Sequence, residues 1–375
     1  MPSTRQVARL VGTVAGVGAT GYLADQTLGR RQRRRARRED PDGLGSLRGE
    51  VHQVLTDDGI RLHAEVDEVS PYSTGQAARR RTDATVVLVH GFAMTQDCWH
   101  YQRAALRGRR RIVLYDQRSH GRSERSPDGH ATIEQLGRDL FAVLTQLTGD
   151  EPVVLVGHSM GGMSIVALAE EHPELFGDKV VGTALVSTTA GSLHTHRMLS
   201  RWIPDALGRR VVERGLVMAS QRERLLELVR KRGSAVAFAV IREFAFGDGA
   251  VPAAWVEFLD REIAEVPLNV LVEFIPQFDS LDKFHVVEAF AQVPTWIMCG
   301  TKDKLTSISH ARKLHSRIPG SRLVELRGGG HMSLFEFKDR VNRELDDLLL
   351  AADQHVHAAE AAALGPGRAT SGGAS

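Results

Sequence analysis

Short runs of β-branched residues that alternate with helical stretches constrain this chain more than any other feature. Thr85–Val89, Ile112–Tyr115, Val153–Val156, Val180–Val186 and Thr295–Met298 are nearly continuous in apolar and β-branched residues rather than alternating with polar ones, so each reads as a strand covered on both faces. Helical patterning over Thr132–Leu147 follows the second run and over Met160–His172 the third. That order predicts a parallel sheet with crossover helices on its faces. Upstream, Glu50–Thr56 and Ile60–Val69 flank Asp57-Asp58-Gly59, a hairpin signal. Downstream, Ser321–Leu326 supplies a last strand and Phe335–Leu350 a closing helix.

At 375 residues, 42% hydrophobic and 25% charged, the chain has room for one large α/β domain or two small ones. Its 48 Lys+Arg against 46 Asp+Glu leave a net charge of +2, which provides no global field for nucleic acid. The two cysteines, Cys98 and Cys299, cannot frame a disulfide scaffold and lack zinc-site spacing. We divide the chain into a leader over 1–48, a first core part over 49–189, a helical cap over 190–290, a second core part over 291–350 and a disordered tail over 351–375. In the leader, Leu10–Ala24 is free of charge and is followed by Arg30, Arg31, Arg33, Arg34, Arg35, Arg37 and Arg38. An arginine block behind an apolar run resists translocation, so retention on the cytosolic side and a cytoplasmic location are expected. Residues 10–38 then either contact a membrane or form an arginine-rich leader with no membrane role.

The chemistry concentrates where strands end. Gly157-His158-Ser159-Met160-Gly161-Gly162 lies between a strand and a helix and contains G-x-S-x-G. A sharp turn there raises the Ser159 hydroxyl above the sheet; the bland alternative is a serine that caps the helix. A serine nucleophile needs a base, and the base needs a carboxylate to hold its tautomer. Asp303, just after the Trp296 strand, is the candidate acid, although an Asp there could also cap the helix starting near Thr306. His331, following Gly328-Gly329-Gly330, is the candidate base; His310 and His315 fall inside a helix, and His158 points away from the nucleophile. The backbone N–H groups of Phe92, in His90-Gly91-Phe92, and of Met160 are candidate donors to an oxyanion.

His90-Gly91, Asp116-Gln-Arg-Ser-His-Gly-Arg-Ser123, the Ser159 motif, Gly300-Thr-Lys-Asp303 and Gly330-His331 together resemble the α/β-hydrolase family over about residues 50–350. The resemblance implies an eight-stranded, mostly parallel sheet with a cap inserted after the sixth strand. It implies Ser159 as nucleophile, Asp303 as acid, His331 as base, and Phe92 with Met160 as oxyanion donors. One departure stands out: Ser119 occupies a position where glycine is typical. A serine at the elbow sets the chain apart from the family's dehalogenases and epoxide hydrolases, which carry Asp there, and from dienelactone-type enzymes with Cys. No cofactor or metal is implied. The expected activity is cleavage of a lipophilic small-molecule ester, a monoacylglycerol or a lactone. The alternatives are a ligand-binding or sensor protein without turnover, a C–C hydrolase, or a haloperoxidase-like relative.

Overall fold

The computed structural model describes residues 43–70, 83–127, 130–193 and 241–364. The leader signals over 10–38 and residues 194–240 of the expected cap lie outside the described residues. Eight strands form one sheet in the order β1-β2-β4-β3-β5-β6-β7-β8. β1 (Glu50–Leu55) and β2 (Arg61–Asp67) make the antiparallel hairpin, with Leu55 opposite Arg61 across the Asp57-Asp58-Gly59 turn. β2 runs antiparallel to β4 (Ile112–Tyr115). β4, β3 (Thr85–Val89), β5 (Val153–His158), β6 (Val180–Val186), β7 (Thr295–Gly300) and β8 (Arg322–Leu326) are all parallel.

The period of two in a strand sorts side chains onto two cores. Val86, Leu88, Leu114 and Val156 pack on one face against α1 (His100–Leu106) and the closing helix. Val87, Val89, Val113 and Leu155 pack on the other, against α2 (Ile133–Thr148) and α3 (Met160–Glu171). Every one of these strand residues is fully buried, at about 1.5–3 kcal/mol of hydrophobic stabilisation for each large aliphatic side chain. α2 begins where Thr132 accepts the Gln135 N–H on its hydroxyl, satisfying one of the helix's free donors.

The described chain continues past β6 to 193, resumes at 241 and forms α4 (Ala253–Glu265) and α5 (Leu268–Ser280) before β7. α6 (Ile308–Arg317) joins β7 to β8. The C-terminus departs from the expectation. In place of one helix ending at Leu350 there are a short α7 (Ser333–Glu336) and a long α8 (Lys338–Leu364). The tail assigned to 351–375 is therefore helical up to Leu364. Its alanine-rich sequence is a strong helix former, and Ala352 packs into the core beside Leu348 and Leu349. Cys98 and Cys299 are both buried free thiols, on segments separated by β5 and β6 in the sheet.

Candidate active site

All the candidate residues follow strands of the parallel sheet, so they gather at its carboxyl edge, where open α/β sheets place their ligands. Ser159 turns the chain from β5 into α3 at φ 53°, ψ −118°, and its side chain makes no capping hydrogen bond. The helix-cap alternative is thereby removed. A non-glycine residue in the left-handed region is strained, and the surroundings hold it there. Its N–H donates to the Val186 carbonyl at 2.9 Å, and its carbonyl accepts the Thr188 hydroxyl at 2.6 Å. The elbow closes tightly: a Cβ added to Gly161 would lie 2.1 Å from the Val89 carbonyl oxygen. Gly161→Ala should accordingly cost at least about 2 kcal/mol, since the contact is with backbone that cannot swing away. A melting temperature unchanged from the wild type would show the packing to be looser than this.

His331 and Asp303 meet. Nδ1 of His331 lies 2.9 Å from Oδ2 of Asp303, and because a carboxylate only accepts, Nδ1 carries the proton and Nε2 is left to act as acceptor. Asp303 also receives the backbone N–H groups of Leu305 and Thr306 on Oδ1 and the Thr306 hydroxyl on Oδ2, each at 2.9 Å. Oδ1 ties down the loop before α6, whose cap position is Ser307, so Asp303 does not cap that helix, and Oδ2 faces the imidazole. Burial alone would lift this carboxyl; the charge of the facing His331, its hydrogen bond and those from Thr306 and Leu305 outweigh it and hold Asp303 below its ordinary value. The His331 loop is itself anchored. Glu336 accepts the N–H groups of Gly247 and Gly330, and Met332 N–H donates to the Ala245 carbonyl.

The loop after β3 lies against the elbow, since a Cβ on Gly91 would stand 3.1 Å from the Ser159 Cβ. This close approach brings Phe92 beside the serine. Among the described residues neither the Phe92 nor the Met160 N–H donates to a protein acceptor, so both remain available. His90 braces the loop. Its Nδ1–H donates to the Gly91 carbonyl at 2.7 Å while Nε2 accepts the Gln117 N–H at 2.8 Å, and burial pushes its pKa down to about 4.

His158 meets the His331 loop. Its Nε2–H donates to the His331 carbonyl at 3.0 Å, and its buried Nδ1 has no protein partner among the described residues. The sequence signal for this role is only its place beside Ser159. In the segment 116–123, Ser119 adopts φ 66°, the left-handed conformation for which glycine is typical; its hydroxyl accepts the Ser126 N–H at 2.9 Å, which helps to offset the strain. Arg118 is fully buried and paired with Asp58 and Asp139. Asp57, Asp58 and Asp139 bring carboxylate oxygens within 4.8 Å of one another. The Arg118 guanidinium already provides positive charge there, so the grouping is an ion-pair cluster around an arginine.

An apolar cluster adjoins the elbow. Phe92 packs edge-on against Phe278 at 5.1 Å and tilted against Phe274 at 5.7 Å, both on α5, with Met160 and Met163 beneath. A separate polar cleft of about 510 Å³ lies between the end of α5 and the start of α6, lined by residues such as Asp282, His310 and Lys313, and does not include Ser159.

The sequence matches the model of the alpha/beta hydrolase family over residues 86–344. It is 29% identical over 276 residues to a putative carbamate hydrolase, RutD, of Klebsiella pneumoniae, spanning 71% of this chain and 91% of that protein. To an uncharacterized protein of Mycobacterium tuberculosis it is 26% identical over 274 residues, spanning 70% of this chain and 73% of that protein. Among solved structures, the enol-lactonase from Burkholderia xenovorans LB400 superposes with a TM-score of 0.59 at 23% identity, covering 80% of this chain and all of that one. That likeness concerns the fold. With the sheet order, the match across most of the folded region and the motif order in agreement, this chain belongs to the alpha/beta hydrolase family.

Proposed function

We propose that this chain is a serine hydrolase that cleaves a carboxylic ester through an acyl-enzyme intermediate, with a lipophilic small-molecule ester, a monoacylglycerol or a lactone as substrate. Ser159 Oγ attacks the ester carbonyl while His331 Nε2 takes its proton, and Asp303 holds the imidazole by Nδ1 and balances the imidazolium that forms. The carbonyl oxygen, now carrying the negative charge, accepts the N–H groups of Phe92 and Met160. Collapse of the tetrahedral species expels the alcohol, which receives the proton from His331. Water then repeats the sequence on the acyl-serine and releases the acid.

The observation that carries this reading is the buried His331–Asp303 pair at 2.9 Å, which leaves Nε2 as an acceptor, at the same sheet edge as a serine held at φ 53°. The apolar wall of Phe92, Phe274 and Phe278 supports a lipophilic substrate. The test is a fluorophosphonate probe followed by a panel of p-nitrophenyl esters of increasing chain length. Labelling of Ser159 together with turnover is the expected result. A chain that resists the probe and hydrolyses none of the esters is a binding protein on the same fold.

We further propose that residues 10–38 contact an anionic membrane surface, the apolar run inserting partly while the arginines bind head groups at about 1 kcal/mol each. No helix among the described residues is long and apolar enough to cross a membrane, and residues 10–38 are outside them. Deleting residues 1–38 should leave hydrolysis of a soluble short-chain ester within about twofold while abolishing sedimentation with anionic vesicles. Failure of the intact chain to sediment even at low salt would refute the contact.

A further inference from the structure

The donor loop contains a strained residue of its own, whose support comes from a histidine in a different part of the chain. Ala93, immediately after Phe92, has φ 56°, a conformation that an L-residue with a Cβ keeps only when its surroundings hold it. Its N–H donates to Nε2 of His120 at 3.2 Å. The direction of that bond is unambiguous. His120 Nδ1 lies 2.9 Å from the Arg118 carbonyl, which can only accept, so Nδ1 carries the proton and Nε2 offers a lone pair.

We propose that His120 is a positioning residue for the oxyanion donor: by accepting the Ala93 N–H it fixes the peptide that follows Phe92 and so keeps the Phe92 amide aimed at the substrate oxygen. The inference rests on the hydrolase reading above and assigns to that site a residue which never touches the substrate. Each peptide plane flanking Phe92 is then tied to a buried histidine. The plane before it, which carries the Phe92 N–H, is held through the Gly91 carbonyl by His90; the plane after it is held through the Ala93 N–H by His120.

His120 is itself held firmly. Its ring is 1% exposed and packs against Phe92 at 5.8 Å, Phe274 at 5.7 Å and His90 at 5.5 Å. The carbonyl that sets its tautomer belongs to Arg118, whose guanidinium is clamped by Asp58 and Asp139. Burial, reinforced by neighbouring His90, pushes the His120 pKa down to about 3. A ring that stayed charged would have no lone pair on Nε2, so this neutral state is what the bond to Ala93 requires.

The experiment compares full-length wild type with His120→Phe, which keeps a ring against Phe92 and Phe274 but removes the acceptor, and with His120→Gln, whose side-chain carbonyl can accept the Ala93 N–H. In His120→Phe, kcat for p-nitrophenyl butyrate should fall on the order of 10–100-fold with KM within about threefold of wild type, because the donor acts on the developing charge rather than on the bound ester. Fluorophosphonate labelling of Ser159 should slow by a similar factor. His120→Gln should recover most of the loss. A kcat within about threefold of wild type in His120→Phe, a change confined to KM, or a His120→Gln variant as impaired as His120→Phe would overturn the proposal.

Wild-type protein that neither labels nor turns over would instead overturn the hydrolase reading and this inference with it. A check that needs no variant is ¹⁵N NMR of the intact protein, in which His120 should remain the neutral Nδ1–H tautomer between about pH 5 and 8. An Nε2–H tautomer or a titrating ring would refute the role even if His120→Phe failed to fold.

Discussion

Ser159→Ala is expected to abolish ester turnover and leave the fold intact. Removing the hydroxyl takes away the proposed attacking atom, while the side chain makes no capping bond that would be lost and the change leaves neither a cavity nor an unpaired buried charge. The elbow is held by backbone groups, through the bonds from Ser159 N–H to Val186 and from Thr188 to the Ser159 carbonyl. Alanine keeps both. Stability should therefore stay within about 0.5 kcal/mol of the wild type, measured by denaturant titration. Turnover of p-nitrophenyl esters within tenfold of wild type would remove Ser159 as the nucleophile. Ser159→Gly provides a control on strain: glycine adopts φ 53° without a clash, so this variant should be inactive yet not less stable than Ser159→Ala.

Asp303→Asn should cost on the order of 10⁴ in kcat with the protein still folded. The hydrogen bonds explain why the amide must point the wrong way. Two backbone N–H groups, of Leu305 and Thr306, converge on Oδ1, so an asparagine presents its carbonyl oxygen there and its NH₂ group where Oδ2 faced His331. An NH₂ can only donate, which forces the imidazole proton from Nδ1 to Nε2 and leaves no acceptor for the serine proton. Retention of wild-type turnover by Asp303→Asn would move the acid elsewhere. The depressed pKa of Asp303 adds a stability consequence with a definite sign. Because the folded value lies below the unfolded one, the stabilisation is present above the ordinary aspartate range and is lost as pH falls through the folded value. Asp303→Asn should therefore flatten the acid side of the stability profile, read from urea midpoints across pH.

Local pattern carried much of the architecture. The strand runs over 85–89, 112–115, 153–156 and 180–186 were legible because a strand buried on both faces must be apolar at every position, and the hairpin because Asp57-Asp58-Gly59 supports a tight turn. α1 was not legible. It is short, and His100, Gln102 and Arg103 look like surface residues, yet Arg103 is 2% exposed and paired with Asp67 and Glu65. Its burial depends on carboxylates of β2, which no periodicity within α1 reports. The extension of α8 to Leu364 is not legible in the sequence for a related reason. An alanine-rich tail has helix propensity, but whether it packs depends on a distant partner, here the face of the sheet that meets Ala352.

By itself the sequence determined the strand–turn–helix at Ser159, the hairpin and the order in which Ser159, Asp303 and His331 come along the chain, since each of these is written in neighbouring residues and their spacing. Only the tertiary structure decided which groups meet. The bond between His331 and Asp303 spans 28 positions, that between Ala93 and His120 spans 27, and that between His158 and the His331 carbonyl spans 173. Such contacts follow from the sheet order, which sets β3 between β4 and β5 and carries their loops to one edge. A hydrogen bond forms or fails within a few tenths of an ångström and has one permitted direction, so its existence depends on how whole elements pack, and that information belongs to no single segment of the chain.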